Sequence, residues 1–243
     1  MGVADRDYWQ EDRRPTAFGG VQMWSVNTWL IVINVAVFLI NSVVQQTVVD
    51  GDGYVLGRIH PIADVYGYFS VSTAVYGLQI WRFITFQFLH ANFNHILFNM
   101  IALYFFGPIV ESYWGARKYL AFYLLCGIAG PAMYCVLWGM GFLIHDPHVP
   151  LVGASAGIFG VLIAAAQIAP NATVLIYGII PMRLRMMAVL LLAIAVYTTF
   201  TNGDNAGGEA AHLGGAAAGF FLMRNPKILS FLDFRKRSRM RIG

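Results

Sequence analysis

The sequence predicts an all-α, polytopic membrane protein, and two observations carry the prediction. Of the 243 residues, 58% are hydrophobic and only 12% charged, where soluble domains carry about 25% charged residues. Mean hydropathy is +0.61, and apolar segments of about 20 residues, the length that spans a bilayer core, recur along most of the chain. One membrane domain, residues 24–223, is expected between a polar arm at 1–23 and a basic tail at 224–243. The net charge of +4 comes mainly from the tail, where Arg235, Lys236, Arg237, Arg239 and Arg241 follow the last apolar run. That placement suits an anionic lipid surface, and no nucleic-acid partner is expected.

The first apolar run, Trp24 to Val44, carries Trp24 and Trp29, suited to an interface, and an asparagine every seventh position. Asn27, Asn34 and Asn41 share one helix face, so that face is expected to meet other helices. A long first loop, about Gln45 to Asn92, contains the apolar piece Gly77 to Leu89, which Arg82 and Gln87 interrupt too often for a plain span. Loops of this length are usually functional or structured. Further spans are read at His95–Tyr113, Tyr119–Ile144, Ala154–Ala169, Met186–Phe200 and Ala210–Met223. The segment Ala172 to Ile180 reads either as an interfacial excursion before Pro181 or as a continuation of the fifth span.

Charge supports six spans. Arg117 and Lys118 separate spans two and three, Arg183 and Arg185 separate four and five, and the basic tail follows six, whereas 145–150 and 201–209 contain no Lys or Arg. By the positive-inside rule the basic connections are cytoplasmic. The arm, with Arg6, Arg13 and Arg14 against Asp5, Asp7, Glu11 and Asp12, is placed inside by the even count. The arm lacks a short apolar core before a cleavage site, so no cleavable signal is expected. Cys126 and Cys135 lie on one predicted helix, on opposite faces and about 13 Å apart along its axis, and cannot pair with each other.

Against this layout, Ser155 in the run LVGASAGIFG (151–160) opens the fourth span, where backbone N–H groups lack intrahelical partners and small neighbours leave room. A serine among glycines is also ordinary glue between membrane helices. Three polar residues on separate helices at one depth, Ser155, His95 and His212, are a more specific signal. A serine hydroxyl attacks an amide only when a base takes its proton, and an imidazole, titrating near pH 6.5, can do so and then protonate the leaving amine. Glu209, one turn before His212, and Asp204 in the preceding loop are not obviously placed to orient that imidazole. Gly215 and Gly219 form a GxxxG on span six opposite Gly153, Gly157 and Gly160 of span four, so the two backbones can approach closely.

Four ordered motifs complete the pattern: Trp81-Arg82, HANFNHILFN (90–99), Gly153-Ala154-Ser155, and AHLGG (211–215) followed by Gly219. Together they resemble the rhomboid family of intramembrane serine proteases over about 81–219. The resemblance implies a rhomboid-like six-helix bundle with Ser155 as nucleophile and His212 as general base. It assigns the oxyanion donors to the Ser155 N–H, His95 and Asn99, the last two spaced i, i+4. His90 resembles a residue supporting the site's hydrogen-bond environment, Trp81 and Arg82 residues that fix the first loop in the outer leaflet, and Glu111 a structural acid.

Two positions depart from the family pattern. The common GxSG is GASAG here, with Ala156 after the serine. Phe159 stands where some members have Tyr, so it can stack on His212 but offers no hydroxyl. The implied partners are single-span transmembrane substrates and the lipid bilayer; no cofactor and no metal are expected. The layout suggests a prokaryotic inner membrane, with both termini cytoplasmic and the site opening outward. Two other classes stay open: a non-catalytic rhomboid-like protein that binds membrane clients, and a small transporter or channel, although neither inverted repeats nor a charged ring is visible.

Overall fold

Apolar runs that cross a bilayer can satisfy their backbone N–H and C=O groups internally only as helices or closed barrels. The computed structural model takes the helical solution and describes residues 24–44, 46–49, 51, 55–59, 66–176 and 179–233. The arm at 1–23 and the cluster Arg235, Lys236, Arg237, Arg239 and Arg241 lie outside the described residues. Six helices of 14 residues or more follow in order: α1 Val26–Val43, α2 Phe93–Trp114, α3 Ala116–Gly139, α4 Ser155–Ile168, α5 Leu184–Phe200 and α6 Ala206–Arg224. By length and composition α1, α2 and α3 can each cross a membrane, and α4 and α5 are shorter apolar helices. The chain is an integral membrane protein.

The asparagine stripe of α1 is buried at all three positions, as its spacing predicts. Asn27 Nδ2 donates to the Leu103 carbonyl at 2.9 Å and Asn27 Oδ1 accepts from the Tyr119 hydroxyl at 2.7 Å, so one side chain ties α1 to both α2 and α3. Glu111 completes this corner from α2. Its carboxylate accepts from the Val26 and Asn27 N–H groups at 2.8 and 3.0 Å, capping donors that the first turn of α1 would otherwise leave bare.

Between α1 and α2 the described residues form an antiparallel hairpin, β1 Gln46–Val49 with β2 Val55–Ile59, then a π-helical turn at Val71–Tyr76 and short helical turns at Arg82–Thr85 and Phe86–Phe88. Arg82 is buried here: its Nε donates to Gln79 Oε1 and a terminal nitrogen to the Tyr68 carbonyl, each at 2.6 Å, while the guanidinium lies over the Tyr68 ring. Trp81 Nε1 donates to the Tyr66 carbonyl at 3.3 Å. The pair staples this connection to itself.

The helix ends differ from the sequence reading by a few residues, and three differences matter most. Helix α3 ends at Gly139 instead of Ile144, because the chain turns at Gly141, whose φ of +81° suits glycine. Helix α6 begins at Ala206, a turn before the expected Ala210. The 172–180 segment is no helical continuation: Thr173–Ile176 and Ile180–Arg183 pair antiparallel as β3 and β4. Pro181 is tolerated there because a two-stranded ribbon is all edge. Cys126 and Cys135 are free, as expected of two thiols along one helix.

The centre of the bundle is the packing of α3, α4 and α6 on one another, with α2 against α4 and α5 against α6. Glycine makes the α4–α6 approach close. A Cβ on Gly219 would stand 2.6 Å from Gly160 Cα, and one on Gly215 would collide with the Ala156 carbonyl. The two backbones therefore touch, which fixes the relative height of whatever side chains flank the contact.

Candidate active site

The site is assembled where α4 begins. Leu151 exchanges both backbone hydrogen bonds with Phe69, at 2.7 and 3.0 Å, and the Gly153 N–H donates to the Phe86 carbonyl at 2.9 Å. The entry to α4 is thus pinned to the connection between α1 and α2. Gly153 then takes φ +129°, a value a side chain resists, and turns the chain into the helix. A Cβ there would also meet His95 Nε2 at 2.7 Å. Ser155 is the first residue of α4, so its N–H has no intrahelical acceptor.

Across the glycine contact, α6 presents His212. Its Nε2 lies 2.7 Å from Ser155 Oγ. The opposite edge of the ring, Nδ1, lies 2.8 Å from Glu209 Oε2. One face of the imidazole is covered by Phe159, stacked with centroids 4.2 Å apart and planes 9° apart. The sequence reading anticipated the stacking and set Glu209 aside. Glu209 and His212 are spaced i, i+3, so they share a helix face only if the helix already runs through both, and α6 does because it starts at Ala206.

From α2 come His95 and Asn99. Asn92 caps this helix, accepting from the His95 N–H at 2.9 Å. The Ala91 N–H donates to His95 Nδ1 at 3.4 Å, leaving Nε2 as the edge that faces Gly153. Asn99 is buried and its amide nitrogen has no hydrogen-bond partner among the described residues. His90 packs edge-on against His95, with centroids 5.0 Å apart, and both its ring nitrogens are buried without a partner among the described residues. Burial, helped by the neighbouring His95, pushes the His90 pKa down to about 3, so the ring is neutral at neutral pH.

Ser155, His212, His95, Asn99 and Phe159 line one cavity of about 610 Å³, together with residues that include Phe98, Val152 and Asn205. That volume is in the range of small-molecule and peptide pockets. The structure does not bring Trp81, Arg82 or Glu111 to it, and Gly215 and Gly219 stand behind it as helix contacts. Among the described residues no group of three or more His, Cys, Asp or Glu could hold a metal ion.

A serine hydrogen-bonded to an imidazole, with a further imidazole and an amide, thus lines one cavity of a membrane bundle. A family model described as the rhomboid domain matches residues 77–224. YdcA from Bacillus subtilis is 32% identical over 163 residues, 65% of this chain and 70% of that protein. Rhomboid protease AarA from Providencia stuartii is 32% identical over 152 residues, covering 57% of this chain and 53% of that one. The mitochondrial RHOMBOID-like protein 12 of Arabidopsis thaliana is 26% identical over 204 residues, 77% of this chain and 54% of that protein. The chain thus spans about half the length of the last two. With the family model covering more than half of it, this chain belongs to the rhomboid family.

Proposed function

We propose that this protein is an intramembrane serine endopeptidase that hydrolyses peptide bonds of transmembrane proteins, with Ser155 as nucleophile and His212 as general base. The observation that carries the reading is the 2.7 Å contact between Ser155 Oγ and His212 Nε2 at the wall of a cavity large enough for a peptide. In the first step Oγ bonds to the scissile carbonyl carbon as its proton passes to Nε2. The resulting oxyanion needs donors in place beforehand. The Ser155 N–H, His95 Nε2–H and the Asn99 amide serve, and the unpartnered state of the Asn99 nitrogen supports its part. Collapse breaks the C–N bond, Nε2 returns its proton to the amine, and a water deprotonated by the same imidazole hydrolyses the acyl-serine. The water-excluding stack of Phe159 holds the ring through both steps.

The setting we propose is a six-span bundle with both termini on the cytoplasmic side and the cavity opening to the outer face. Single-span proteins are the proposed substrates. A helix has every carbonyl engaged, so the bond to be cut must first unwind, which favours targets with Gly or other weak helix formers near the cut.

The test compares wild type with Ser155→Ala and His212→Ala, each purified in detergent or liposomes, against a panel of single-span substrates and a serine-directed fluorophosphonate. Wild type is expected to cleave and to be labelled at Ser155, and both variants to fall to background. Cleavage persisting in Ser155→Ala would sink the assignment.

A further inference from the structure

Glu209 makes the Ser155–His212 pair a three-member chain. We propose that Glu209 is a positioning residue for the reaction, holding the His212 imidazole in the tautomer and plane that the serine needs; the inference rests on the reading of Ser155 and His212 just given. Its Oε2 lies 2.8 Å from His212 Nδ1 while Nε2 lies 2.7 Å from Ser155 Oγ, so the ring is bonded at both edges. Phe159 covers a face and leaves only motion in the ring plane, which the two edge bonds stop. A carboxylate can only accept, which places the ring proton on Nδ1 and leaves the Nε2 lone pair directed at the hydroxyl.

Both side chains are largely withdrawn from solvent, at 13% and 19% exposure for His212 and Glu209. A charge pair in that setting is screened less than one in water. When the serine proton moves to Nε2, the imidazolium forms beside an anion already in place, and no group has to reorganise. The other titratable group facing this pair across the cavity is His95 of α2, beside Gly153. Neutral, His95 leaves the pair undisturbed; protonated, it would oppose the imidazolium.

The geometry is a product of where α6 begins. The Glu209 N–H donates to the Asn205 carbonyl at 3.0 Å, so the residue is already in helical register, and the i, i+3 spacing points it along the His212 face. An acid in the first turn also suits the helix dipole, and that purely structural role is the alternative to be separated.

The experiment measures single-substrate kinetics and the rate of Ser155 fluorophosphonate labelling in full-length wild type, Glu209→Gln and Glu209→Asp. The labelling step forms an Oγ–P bond, expels fluoride and sends the serine proton to His212, so it reads the same base without depending on substrate choice. Glu209→Gln is expected to lower kcat and the labelling rate by about ten- to a hundredfold with KM held within about twofold, since a lost orienter acts in the transition state. Glu209→Asp keeps the charge one methylene short and should fall between, which serves if the glutamine variant folds poorly. Wild-type kcat and an undiminished labelling rate in Glu209→Gln, with Ser155→Ala inactive, would overturn the proposal and leave Glu209 as a helix-end acid. Labelling undiminished in Ser155→Ala would instead overturn the underlying Ser155–His212 reading.

Discussion

Asn99 shows how a single side chain separates packing from chemistry. A buried amide usually finds a partner, and leaving it unpaired is unfavourable by about 1–3 kcal/mol. Its nitrogen nevertheless has no partner among the described residues, and Asn99 borders the same cavity as Ser155. If that amide is kept for the oxyanion, Asn99→Ala and His95→Ala should each reduce kcat by about 10²–10³-fold, or about 2.7–4 kcal/mol of transition-state stabilisation. Were the amide only interhelical glue, the loss would be near 0.6 kcal/mol and would appear in stability. Steady-state kinetics alongside thermal unfolding in detergent divides the two, and a fall in melting temperature with unchanged kcat would remove Asn99 from the oxyanion site. That Ser155, His95, Asn99 and His212 meet at one cavity was legible in the sequence, through the motifs in which they stand. Glu209 was not legible in the same way: its direction depends on whether residues 206–212 are already helical, and glycines at 207 and 208 give that stretch weak intrinsic preference. The contact of α6 with α3 and α4 decides it.

Helix ends in this chain are held by side chains from other helices, so local changes act at a distance. Glu111 near the end of α2 accepts two N–H bonds at the start of α1, while α1 gives Asn27 back to α2 and α3. Replacing Glu111 by Gln keeps the shape but exchanges an acceptor-only group for one that can offer a single oxygen, and it removes the charge that favours a helix N-terminus. Glu111→Gln is expected to destabilise the protein by about 1–3 kcal/mol, the range for losing charged hydrogen bonds, with fluorophosphonate labelling of Ser155 unchanged at temperatures where the variant is folded. Urea or thermal unfolding monitored by near-UV dichroism measures it, and an unshifted midpoint would show that water serves the α1 terminus equally well. The sequence fitted Glu111 for a structural role through resemblance alone, since 85 residues separate it from Val26 and no periodicity connects them. The β3–β4 ribbon escaped for a different reason. Its apolar run of residues 173–180 has the composition of either a strand or a helix, and only pairing across the turn distinguishes them.

The arrangement of charge along the chain makes a claim about the bundle as a membrane object. Lys118 lies at the start of α3, where it pairs with Asp233 at 2.7 Å and lies over the Trp114 ring, so the α2–α3 turn and the residues after α6 meet at one end of the fold. Ser155 and His212 instead line the cavity, Ser155 from the first turn of α4 and His212 from the N-terminal half of α6, at the opposite end of α6 from Arg224 and Lys227. If positive charge marks the cytoplasmic side, the cavity must open on the other side, and water reaches Ser155 from there. Single cysteines test this on a Cys135→Ser background, with Cys126 left in place because it is buried. A membrane-impermeant maleimide applied to intact cells should modify exposed positions near the cavity, His148→Cys and Asp204→Cys, and spare the exposed Arg185→Cys and Lys227→Cys until the membrane is permeabilised. Modification of Lys227→Cys from outside, together with protection of His148→Cys, would invert the topology and place the cavity, and with it the water that hydrolyses the acyl-serine, on the cytoplasmic face.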